Sequence, residues 1–185
     1  MSKPQSAEPQ THAEIVAALT RRWPEHRVAP SLSRVQALTG LLGDPQHAFR
    51  VIHVTGTNGK GSTAAMIESL LRAAGLRTGR FTSPHVTSVN ERITIDGQPI
   101  SDERFDDVWR EIEPYVALVD ERAIDGVAMT FFEVITATSP SATLVASQVP
   151  PRPTSSTATS TGASANAAKA MQVMISKKVI ETPSI

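Results

Sequence analysis

Apolar residues along this chain change their spacing several times, and each change predicts an element. Ile15, Val16, Leu19 and Trp23 fall on one face of a 3.6-residue repeat. A Thr11–Glu14 capping-box pattern opens that first helix and Pro24 stops it. A second helix is predicted over 33–42, where Val35, Leu38 and Leu42 share a side and Gly43-Asp44-Pro45 ends the run. The spacing then collapses to a short β-branched run, Val51-Ile52-His53-Val54, which breaks into a glycine-rich loop before helical spacing resumes over 64–74. Residues 76–81 read as a second strand, which makes a βαβ crossover. Arg92-Ile93-Thr94-Ile95 and Gln98-Pro99-Ile100, joined by Asp96-Gly97, predict a β-hairpin whose proline keeps the second arm at an edge. Ser101 caps a further helix with Phe105, Val108, Trp109 and Ile112 on its apolar stripe. The acids Asp106, Asp107, Glu111 and Glu113 are assigned to its solvated face. Thr130-Phe131-Phe132-Glu133 then repeats the capping-box pattern.

The loop Thr55-Gly56-Thr57-Asn58-Gly59-Lys60-Gly61-Ser62-Thr63 carries the candidate chemistry. Strand, glycine loop and helix, in that order, build a phosphate cradle. Glycines let successive N–H groups turn towards an anion, and the following helix offers its positive end to the same charge. Lys60 adds a full charge, and Ser62 or Thr63 offers a hydroxyl for Mg²⁺. The loop is not a strict G-x-x-x-x-G-K-[ST], because Val54 stands at the first position and Gly61 where the hydroxyl belongs. The plainer alternative is a strand–helix turn that needs glycines only for its geometry.

Composition removes several classes. Eighteen basic and 18 acidic residues cancel, so no global field draws nucleic acid or an anionic membrane. Without cysteine there are no disulfides and no thiolate metal sites. Residues 1–10 are polar and lack the apolar core of a signal peptide, and no stretch approaches the roughly 20 apolar residues of a membrane span. A cytoplasmic protein is the default expectation.

The glycine loop resembles the ATP loop of the folylpolyglutamate synthases and dihydrofolate synthases, within the Mur-ligase superfamily. Thr82-Ser83-Pro84-His85-Val86 with Asn90-Glu91-Arg92-Ile93, and then Met129-Thr130-Phe131-Phe132-Glu133, match further motifs of that family in order. The resemblance covers about 28–137. It implies an α/β fold, an incomplete P-loop Mur-ligase-like ATP-binding domain of parallel strands, a crossover helix and a β-hairpin. It also implies an ATP-dependent ligase that joins L-glutamate to dihydropteroate or folate through an acyl phosphate, using ATP and Mg²⁺. By position it assigns Thr57, Asn58, Gly59, Lys60, Gly61 and Ser62 to ATP, with Lys60 as the catalytic cation. Ser83 and Ser62 are implied for the metal, and Ala29, Pro30, Ser31, Thr130 and Phe132 for the pterin. His85 is expected to be structural or phosphate-proximal, with Glu91 nearby in sequence.

After Ala137 the text changes. Residues 138–164 mix Ser, Thr, Ala and Pro with no acid and no aromatic, and 167–180 is faintly helix-like. Such composition buries too little apolar surface to offset the entropy of ordering. The expected division is therefore a disordered leader at 1–10, the ATP-binding portion at 11–137, and a low-complexity, disordered or out-of-frame tail at 138–185. The family's acidic, glycine-rich Mg²⁺ segment and glutamate-binding domain have no counterpart in the text. On this reading the chain is truncated and inactive, or else a nucleotide-binding fragment or gene remnant without turnover.

Overall fold

A computed structural model describes residues 10–22, 31–148 and 170–176. The helices are α1 (His12–Thr20), α2 (Leu32–Leu41), α3 (Lys60–Ala73), α4 (Asp102–Glu121) and α5 (Phe131–Gln148). The strands are β1 (Arg50–Thr55), β2 (Arg77–Phe81), β3 (Ile93–Ile95), β4 (Gln98–Pro99) and β5 (Ala170–Ser176). They form one sheet in the order β1-β5-β2-β3-β4, with β5 parallel to both neighbours and β3 antiparallel to β2.

The predicted caps hold. Thr11 and Glu14 exchange both bonds of a capping box at α1, and Ser101 accepts from the Arg104 amide at α4. Asp96 and Gly97 both take positive φ, as a two-residue hairpin turn requires. At 97 the positive φ is what calls for glycine, since a Cβ there would meet only the movable guanidinium of Arg72.

Strand alternation divides the packing into two clusters. Phe81 joins the larger core with Ile93, Phe105, Ile112, Met129 and Ile135, under α4, α5, α2 and α1. Its neighbour Arg80 reaches Glu68 on α3 instead, and α3 packs its own small cluster of Ala64, Ile67 and Leu71 on Ile52 and Val54 of β1. The glycine loop between β1 and α3 therefore opens at the C-terminal end of the parallel strands, where ligands of α/β sheets collect.

Four expectations need correction. The helix that starts at Phe131 runs on to Gln148, past the boundary expected at 137. Residues 170–176, read as faintly helical, form a strand, because a parallel slot between β1 and β2 supplies both rows of backbone partners. The two crossover strands are consequently not adjacent, and the sheet holds three parallel strands rather than two. Asp106 is not on the solvated face; it is buried and 2.7 Å from Nδ1 of His12, which locks α1 onto α4. Trp23 and Pro24 lie outside the described residues.

One buried ion pair ties α2 to α5. Arg34 donates from Nε (3.1 Å) and a terminal nitrogen (2.8 Å) to the two oxygens of Glu133, and both side chains are 2% exposed. The same carboxylate accepts the Ser31 amide at 3.0 Å and the Thr130 amide at 2.8 Å. Burial pushes the Glu133 carboxyl up, but the Arg34 bonds and these two amides outweigh it and hold it below the usual range.

Breaking such a pair leaves a charge uncompensated, so Arg34→Met is expected to cost about 3–5 kcal/mol in urea unfolding at neutral pH. The contribution of Glu133 is fully present above the unfolded carboxyl value of about 4.3 and is lost as pH falls through its lowered folded value. The stability gap between the parent and Glu133→Gln should accordingly close on acidification below pH ~4.

Candidate functional site: a phosphate-binding cleft

A cleft of about 430 Å³ lies at the C-terminal edge of the sheet. One wall is the loop, with Thr57, Asn58, Gly59, Lys60 and Gly61; the other is the end of β2 and its exit, with Arg80, Thr82, Ser83 and Pro84. Gly59 takes φ +74 at the start of α3, a conformation that side chains disfavour. It also brings no capping side chain, so the first-turn amides of α3 keep no side-chain acceptor at the cap. Lys60 folds back and donates to the carbonyls of Gly56 (2.6 Å) and Thr57 (3.1 Å), closing the loop on itself. Two cations, hydroxyls and amides line this space, and among the described residues no carboxylate does. That electrostatic make-up favours an anion.

The exit from β2 is held by Glu91. Its carboxylate accepts the amides of Val86 (2.8 Å), Thr87 (3.0 Å) and Ser88 (3.0 Å), and those bonds hold its carboxyl below the usual range. Glu91 is thus occupied by backbone and does not serve His85. The histidine finds a different partner: its Nδ1 accepts from Nε of Arg92 at 2.8 Å. Arg92 in turn lies 5.0 Å above the Phe131 ring, with His85 edge-on to the same ring.

The residues assigned from sequence separate into two places. Thr57, Asn58, Gly59, Lys60, Gly61 and Ser83 share the cleft. Ser62 sits in the first turn of α3 and is exposed, but it does not line the cleft. Ser31 and Thr130 are brought together on Glu133, and Phe132 packs against Phe81 with ring centroids 6.1 Å apart. Ala29 and Pro30 lie outside the described residues. Arg80 was missed by sequence reasoning, since an arginine inside a strand reads only as a polar position. Its place near the C-terminal end of β2, two residues before Thr82, is the signal that was available.

No family model matches the chain. Among curated proteins, the dihydrofolate synthase/folylpolyglutamate synthase of Mycobacterium tuberculosis is 50% identical over 129 residues, 67% of this chain and 26% of that protein. The protein of the same name from Bacillus subtilis is 44% identical over 110 residues, 60% of this chain and 25% of its own length. A solved M. tuberculosis folylpolyglutamate synthase, complexed with ADP, superposes with a TM-score of 0.71 at 39% identity, covering 88% of this chain and 31% of that one. The chain matches the N-terminal portion of the folylpolyglutamate and dihydrofolate synthases. It spans about a quarter of the length of these curated relatives. The α/β fold expected from the loop and its strands is that of these synthases. Among the described residues, no helix is long and apolar enough to cross a membrane.

In this synthase-like portion, Glu91 should act as the clamp of the second wall. Glu91→Ala removes the acceptor of three amides, so hydrogen exchange at 86–88 is expected to run severalfold faster, with the core helices unchanged.

Proposed function

We propose that the cleft takes the phosphates of ATP, and that this chain carries the ATP-binding portion of a ligase that joins L-glutamate to dihydropteroate or folate through an acyl phosphate. The observation that carries the reading is the lining itself: Lys60 and Arg80 face a space bounded by loop amides and hydroxyls, with no acid among the lining residues. Phosphoryl transfer is catalysed chiefly by positioning and by neutralising charge on the moving group, which such a lining suits. Lys60 would exchange its two loop carbonyls for phosphate oxygens. A carboxylate substrate is already a nucleophile, so forming the acyl phosphate asks for no base on the protein. The node of Ser31, Thr130 and Glu133, with Phe132 beside it, is our candidate for the pterin side, together with Ala29 and Pro30 by their position in sequence.

A magnesium ion would enter this cleft as a companion of the phosphates. The described residues include no group of three or more His, Asp or Glu able to hold a metal. Magnesium keeps several waters and commonly shares its shell with substrate phosphates, so the Ser83 hydroxyl is a suitable hard ligand, and Ser62 a more distant candidate. When bound, the ion would neutralise charge on the transferred phosphoryl group.

A second reading is nucleotide binding without turnover. Glutamate-dependent ADP release from pteroate or folate supports the ligase, and nucleotide binding without it supports the bare binder.

Thermal unfolding with and without Mg-ATP tests the shared core of both readings. The parent is expected to be stabilised by RT ln(1 + [L]/Kd), about 2.7 kcal/mol at a hundredfold excess over Kd. Lys60→Ala should abolish that shift while the ligand-free transition stays in place; a variant protected as well as the parent would refute the assignment of the loop.

A further inference from the structure

Glu68 is the most unusual side chain on α3: a carboxylate 3% exposed in a helix whose outer face is bare to solvent. One of its oxygens accepts the Gly97 amide at 3.0 Å and the Thr94 hydroxyl at 3.2 Å, with the Thr78 hydroxyl at 3.5 Å. The other accepts Nε of Arg80 at 2.7 Å. A buried pair of this kind adds little stability over an apolar pair of the same shape, so stability alone gives a weak reason for an arginine at 80.

The rest of the guanidinium supplies a stronger one. Only Nε is engaged; among the described residues no protein group takes a hydrogen bond from the two terminal nitrogens. The side chain is 18% exposed and lines the cleft opposite Lys60. A guanidinium fixed at Nε keeps a planar pair of donors, the fork that matches two oxygens of a phosphate. The loop amides and Lys60 stand on the α3 side, so a phosphate chain cradled there would have the β2 wall and Arg80 across from it.

We propose that Arg80 is a phosphate-contacting residue that binds the outermost phosphate of a nucleoside triphosphate, and that Glu68 is its positioning residue. This rests on the nucleotide reading of the cleft given above. It makes the cleft two-handed, one cation on the loop and one on β2, with the buried carboxylate setting the second in place before any ligand arrives.

Calorimetric titration of the full chain with Mg-ATP and Mg-ADP tests the assignment. Arg80→Gln is expected to weaken ATP by roughly ten- to a hundredfold, the range of a charged hydrogen bond or two, and ADP by less than about threefold. A purely structural arginine would move both nucleotides alike. Glu68→Gln can still accept the Gly97 amide but turns an N–H towards Nε of Arg80, so it too should shrink the ATP-to-ADP ratio. Should Arg80→Gln fail to fold, Arg80→Lys retains a cation for Glu68 without the second donor pair, and the same fall in ratio is expected. A parent that binds both nucleotides, with a ratio unchanged in the folded Arg80 variant, overturns the Arg80 assignment alone. A parent that binds neither nucleotide overturns the reading of the cleft and this inference with it.

Discussion

The position of α3 on the sheet depends on the Glu68 carboxylate. Through it one helical residue touches β2 at Thr78 and Arg80, β3 at Thr94, and the hairpin turn at Gly97. Helices that rest on sheets by apolar contact alone can slide, because dispersion is non-directional. Four directional bonds from one buried group remove that freedom. The small apolar cluster under α3, Ala64 with Ile52, Val54, Ile67 and Leu71, could not do so alone. Since α3 begins at Lys60, fixing the helix also fixes where the loop and its first-turn amides stand.

Three buried or backbone-bonded acids share a pattern. Glu68 is taken up by the hairpin and Arg80, Glu91 by the amides of 86–88, and Glu133 by Arg34 and the amides of Ser31 and Thr130. Glu68 and Glu91 order segments beside the cleft, Glu133 orders the separate node between α2 and α5, and none of the three is among the cleft's lining residues. A site for a polyanion has to be framed without bringing negative charge inward, and carboxylates that bond backbone amides outside the cleft meet both requirements.

Much of this was legible in the chain. The strand–loop–helix order, both capping boxes, the Asp-Gly hairpin and the apolar stripe of α4 are local signals, and local physics decides them. Features set by distant partners were not legible. Ala170-Met171-Gln172-Val173-Met174 has neither strict alternation nor a β-branched run, and its extended state comes from two parallel neighbours far away in sequence. Asp106 looks like any helix-surface acid until α1 brings His12 over it. His85 reads as a lone histidine because its partner is a cation, Arg92, rather than the acid one would look for. The cleft's first wall is one contiguous motif and could be read directly; its second wall needed β2 to be placed beside it.

The strand order carries a kinetic consequence. Among the described residues β1 pairs with β5 alone, so the platform beneath the glycine loop is completed by a strand that lies far along the chain from it. Until that segment emerges, β1 lacks the strand partner it has in the described fold. Such long-range parallel pairing gives the loop's support a high contact order, whereas the hairpin and α4 close over short spans. The support nearest the candidate chemistry therefore depends on a distant segment, and an unpaired edge of β1 is a surface open to association between nascent chains.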